Sequence, residues 1–171
     1  MRRSMAAPDP SWQSPGGPLR PSPELDAGLG WLSEAADALQ ASMIVVATGP
    51  TVTTGARDRE RLREYFGRVP RAEDRLVVWR PTGLWEPEAV QTMASVLSVV
   101  GGFDAIDDPA PSSNVLYTSL LAEGFRRSFS HALLLEVLDK LQSSGASRAY
   151  ATIESGQSFR EARLLQALSE G

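Results

Sequence analysis

Met43-Ile44-Val45-Val46-Ala47-Thr48-Gly49-Pro50 is the stretch on which the fold turns. A continuous apolar, β-branched run that closes on Thr-Gly-Pro reads as a strand buried on both faces, the kind found inside parallel sheets. Downstream of a Thr-rich turn, residues 57–69 form a charged amphipathic pattern with Leu62, Tyr65, Phe66 and Val69 on one side, so a helix follows the strand.

The same alternation then recurs. Leu76-Val77-Val78-Trp79 reads as a second buried strand, left through Arg80-Pro81-Thr82-Gly83. Pro87 suits a first helical position, and Val90, Met93, Val96 and Leu97 give that helix its apolar stripe before Gly101-Gly102 stops it. Phe103-Asp104-Ala105-Ile106 is the expected third strand, closed by Asp107-Asp108-Pro109, and Val115 to Leu121 the fourth. Leu133, Leu134, Val137, Leu138 and Leu141 line a helix that ends at Gly145, and residues 148–153 make the fifth strand. Ser158 and Glu161 have the spacing of a capping box at the head of a last helix carrying Ala162, Leu164, Leu165 and Leu168.

Upstream, Leu25, Leu29, Leu32, Ala36 and Leu39 recur at helical steps, weakened by Gly28 and Gly30. Residues 1–23 are rich in Pro, Ser and Gly, with Trp12 and Leu19 as large apolar groups, and are expected to be a disordered arm. The remainder, residues 24–171, is expected to be one α/β domain with a mainly parallel sheet. The step between the third and fourth strands is too short for a helix, so parallel pairing is least assured there. A closed TIM barrel needs eight strands in about 250 residues. Five strands therefore point to a partial, half-barrel architecture.

Composition removes several chemistries. The chain has 171 residues, 42% hydrophobic, with a net charge of -4, which disfavours binding nucleic acid through phosphate contacts. It has no cysteine and a single histidine, His131, so thiolate sites, disulfides and multi-histidine metal sites are excluded. No cofactor is implied. No apolar run approaches the roughly 20 residues of a membrane span, and Arg2-Arg3 is not followed by the apolar core of a secretion signal. A cytoplasmic protein is expected.

Val45-Val46-Ala47-Thr48-Gly49-Pro50-Thr51-Val52-Thr53-Thr54, Arg61-Leu62, Tyr65-Phe66, Val77-Val78-Trp79-Arg80 with Trp85, and Ile106-Asp107-Asp108-Pro109 together resemble the later part of the YecE family. The similarity continues through residues 117–120, Ala149-Tyr150 and Glu161-Ala162, so it spans roughly residues 43–171. The family comprises uncharacterised conserved proteins, and the resemblance implies a TIM-barrel-like fold. It also implies losses. Val78 stands where the family carries an acidic residue beside the equivalent of Arg80, Ser119-Leu120-Leu121-Ala122 replaces an Arg-Leu-His-Gly strand, and Ile153-Glu154-Ser155 replaces Phe-Asn-Asn. The family's amino-terminal half has no counterpart. A shortened relative with a degenerate ligand site is the reading the resemblance supports.

Ligands of parallel α/β sheets sit at the carboxyl ends of the strands. That rule collects Thr48, Arg80, Asp107, Asp108, Ser119 and Glu154. Arg80, Asp107 and Glu154 could hold an anion or a divalent ion, or could form a plain structural ion pair. His131 reads as a capping-turn or surface residue. Residues 155–158 read as a turn and the arginines of residues 57–68 as a solvated face. The aromatic residues Trp79, Trp85, Tyr65 and Phe66 read as packing. Two functions follow. The first is a non-catalytic interaction or assembly module that pairs with a protein partner, or with itself, through an exposed sheet edge. The second is a small metal- or anion-dependent enzyme working at the strand ends.

Overall fold

The computed structural model describes residues 19–122 and 128–170, and the expected arm lies outside this range up to residue 18. The last residues of that arm are described: Ser22 caps the first helix by accepting the Leu25 N–H, and Leu19 packs against the core. The elements run α1 (Pro23–Ala38), β1 (Met43–Thr48), α2 (Ala56–Phe66), β2 (Leu76–Pro81), α3 (Pro87–Leu97), β3 (Val100–Phe103), β4 (Val115–Leu121), α4 (His131–Ser143), β5 (Arg148–Glu154) and α5 (Ser158–Ser169).

The strands form one sheet in the order β1-β2-β3-β4-β5, and every neighbouring pair is parallel. The sheet curls into an open half-barrel with β1 and β5 at its margins. No helix among the described residues is long and apolar enough to cross a membrane.

The register separates two faces. Ile44, Val46, Val77 and Trp79 turn outward and join Leu62, Phe66, Val90, Met93, Ala94 and Leu97 of α2 and α3 in one core cluster. A second cluster sets Phe103, Leu116 and Leu120 against Leu134, Val137 and Leu141 of α4. The concave face carries the alternate residues: Val45, Val78, Arg80, Gly102, Tyr117, Ser119 and, on β5, Tyr150, Thr152 and Glu154. It is apolar below and polar at the strand ends.

The third strand corrects the expectation. It comprises Val100-Gly101-Gly102-Phe103 and not residues 103–106. The helix before it ends earlier than the glycines, at Ser98, which adopts the left-handed conformation (φ 54°, ψ 48°). Gly101 is then free to be a strand residue, and its bare Cα lets α3 lie close, since a Cβ there would stand 2.9 Å from Gln91 Oε1 and 3.1 Å from Ala94 Cβ.

The helix-free connection over residues 104–114 nevertheless joins parallel strands. It is held from both sides. The buried Thr118 hydroxyl accepts the Ala105 N–H at 3.1 Å, and the Lys140 ammonium of α4 donates to the Ile106 and Asp108 carbonyls at 3.3 and 2.8 Å.

The capping box is a second correction. Gln157 is the N-cap of α5, Ser158 is already helical, and Glu161 turns inward to other donors.

The Thr-rich turn after β1 is fastened by Asp58, whose Oδ2 accepts the Thr53 N–H at 2.9 Å and the Thr53 hydroxyl at 2.8 Å. The backbone donor, then the hydroxyl, with Arg61 adding charge, holds the Asp58 carboxyl below the usual carboxylate range. A carboxyl with a lowered folded-state pKa adds stability that is complete above its unfolded value, about pH 4, and is lost as pH falls through the folded value. Asp58→Asn should therefore be less stable than the parent at neutral pH, with the gap closing in acid. Urea titrations at several pH values measure this, and a pH-independent gap would contradict it.

Candidate functional site

Three of the strand-end residues meet. Arg80 closes β2, and its Nη1 donates to Ser119 Oγ of β4 at 2.7 Å and to Glu154 Oε1 of β5 at 2.8 Å. Ser119 Oγ lies 3.4 Å from the same carboxylate oxygen. β3 runs between them and places Gly102 beside Arg80 on the concave face, so no side chain of that residue stands between β2 and β4. A Cβ on Gly102 would lie 3.6 Å from Cβ of Arg80.

The other candidates lie elsewhere. Thr48 pairs with Pro81 and so falls on the helix-facing side of the sheet, where its hydroxyl accepts the Trp79 indole N–H at 3.0 Å. It belongs to the core. Asp107 is exposed in the loop after β3, and among the described residues it makes no ion pair with Arg80. Asp108 lines the cavity beside the cluster. His131 opens α4 as an exposed residue, and Ser130 before it caps that helix by accepting the Leu133 N–H.

The cavity at the strand ends has a volume of about 210 Å³ and is walled by Arg80, Trp85, Gly102, Asp104, Asp108 and Tyr117, among others. Sequence reading did not bring Trp85, Gly102 or Tyr117 to this place. Trp85 is carried in by the loop after β2, where its indole donates to the Val52 carbonyl at 2.8 Å and its ring meets Trp79 edge-on. The concave parity of Tyr117 was legible only once β3 and β4 were known to be parallel.

Electrostatically, the site is a partly screened ion pair. The Arg80 side chain is 26% exposed and that of Glu154 56%, so the pair alone contributes at most about 1 kcal/mol. Arg80 Nε is buried and has no hydrogen-bond partner among the described residues. Among the described residues no group of three or more His, Asp or Glu side chains could hold a metal ion.

Glu161 was also missed. It is 4% exposed, accepts the Phe129 N–H at 2.6 Å, and accepts the Ser155 hydroxyl as well. It ties the entry of α4 to the head of α5. A Glu three residues after a Ser carries the same local pattern whether it caps its own helix or reaches a neighbouring loop.

No protein-family model matches the chain, and neither a curated protein nor a solved structure matches it.

Proposed function

We propose that this chain is a YecE-like, cytoplasmic assembly module without catalytic activity, and that a second copy of it closes the half-barrel. The observation that carries the reading is the sheet order: five parallel strands in sequence order, with β1 and β5 as margins. A strand margin presents unpaired N–H and C=O groups, which proteins cover or pair. On β1 the concave side is apolar as well, with Val45 40% exposed.

The chemistry of the margins favours a second copy. A parallel sheet is covered by helices, so whatever extends it must bring strand and helix together. A free peptide strand brings no helix. A second copy brings five strand-helix units. A two-fold axis along the barrel would set β1 of each copy beside β5 of the other, in parallel, and leave no margin open. In support of a non-catalytic role, the Ser119 hydroxyl and the Glu154 carboxylate are both taken up by Nη1 of Arg80.

Cross-linking tests the arrangement, since a chain without cysteine reports introduced thiols alone. Val45→Cys on β1 and Thr152→Cys on β5 place thiols on the concave side of the two margins. Mixing the single variants with a short dithiol-reactive linker is expected to give mainly 45-to-152 products. Products linking 45 to 45 or 152 to 152 in preference, or none at all, would overturn the reading.

A further inference from the structure

We infer that Glu154 competes with a ligand carboxylate for Arg80: the strand-end cavity beside this pair is a subsite for a small monocarboxylate bearing a hydroxyl or ammonium donor, anchored by Arg80. This goes beyond the proposed assembly, which does not require a ligand.

Guanidinium groups recognise carboxylates through two parallel N–H bonds. Arg80 does not do so here. Among the described residues both of its hydrogen bonds leave from Nη1, Glu154 supplies one oxygen, and buried Nε has no acceptor. A buried donor left unmade in this way is a cost that a turn of the guanidinium toward a two-oxygen partner would relieve. Glu154 is poorly placed to supply the second bond, because it reaches in from the margin strand with more than half of its side chain in water. A carboxylate entering the cavity can displace it at small cost, since the freed side chain moves into solvent. The guanidinium, released from Glu154, can then turn its Nε edge to two oxygens.

The cavity admits such a guest. Its volume of about 210 Å³ equals that of about seven water molecules at ~30 Å³ each, the size of a small metabolite. Gly102 lines it beside Arg80 and takes up none of its space with a side chain. The charge of the described lining residues bears on the ligand class. Asp104 and Asp108 line the same cavity, and Asp104 Oδ1 already accepts the Ile106 N–H. Two carboxylates beside one guanidinium repel a dianion such as phosphate. They favour a monoanion that returns a hydrogen-bond donor, and Asp108 is the acceptor for it.

The experiment titrates the full chain with 3-hydroxypropionate, β-alanine and propionate, following tryptophan fluorescence and the NMR shifts of the Gly102 and Ser119 amides. The two donor-bearing probes separate hydroxyl from ammonium, and saturable binding of either supports the inference. Propionate is expected to bind about tenfold more weakly. Glu154→Gln should tighten binding about tenfold by weakening the internal competitor, Arg80→Lys should abolish it while keeping the charge, and Asp108→Asn should reduce the donor-bearing probes to the level of propionate. Thermal unfolding of each variant confirms that the fold is retained. The absence of saturable shifts with all three probes would overturn the inference, as would a Glu154→Gln variant that binds no more tightly than the parent.

Discussion

Replacing Trp79 with alanine is expected to remove about 3–5 kcal/mol of folding stability, the cost of deleting a large aromatic side chain from a packed interior. Trp79 is fully buried at the centre of β2. Its ring meets Phe66 of α2 at 6.4 Å and Trp85 at 4.8 Å, both edge-on, and its indole N–H is taken by Thr48 of β1. One side chain thus joins the sheet margin, the helix layer and the loop that walls the cavity. Small domains have about 5–15 kcal/mol in total, so the variant should be marginal or unfolded at 37 °C. Trp79→Phe retains most of the ring contacts and should recover well over half of the loss, leaving a deficit from the lost indole hydrogen bond of about 1 kcal/mol. Urea unfolding followed by circular dichroism measures both. A loss below about 1.5 kcal/mol for the alanine variant would show that the helices do not pack on β2 as described.

Glu161→Ala is expected to cost about 1.5–3 kcal/mol, the range for hydrogen bonds to a charged group. The carboxylate is almost wholly enclosed and takes donors from two places: the backbone of Phe129, just ahead of α4, and the hydroxyl of Ser155, just ahead of α5. Both helix entries should loosen together. Hydrogen exchange is the discriminating measurement, because a residue that merely capped its own helix would affect the amides of α5 alone. Faster exchange at residues 129–134 as well as 158–162 is the expected pattern, and unchanged exchange in the first group would contradict it. Glu161→Gln keeps a carbonyl acceptor and should restore part of the stability.

The order of elements was legible because the buried strands announce themselves. Runs such as 43–47 and 76–79 are too apolar and too β-branched to sit anywhere but between two covered faces, and the helices between them carry their own stripes. Where a residue type serves two purposes, the reading went astray. Gly101-Gly102 looks the same whether it stops a helix or lets one lie close on a strand, and the left-handed Ser98 that ends α3 bears no distinctive local signal. Ser158 and Glu161 were misread for the same reason: spacing shows which groups could meet, while burial decides which do.

The strand-end rule brought Arg80, Ser119 and Glu154 together because position at the end of a parallel strand is itself a spatial coordinate. It failed to separate Thr48, since a strand end also has a face. Thr48 stands one residue past the concave Ala47 and so points into the helix layer. Asp107 sits in a loop whose path is set by Thr118 and Lys140, contacts separated from it by many residues in the chain. No local pattern encodes that path.

The half-open sheet is most directly tested by the mass of the particle in solution. Light scattering on the eluting peak of the full chain should give twice the 18.5 kDa of one copy, with no enhancement of an apolar dye. A single copy that stays monomeric at tens of micromolar and leaves the dye dark would contradict closure by a second chain.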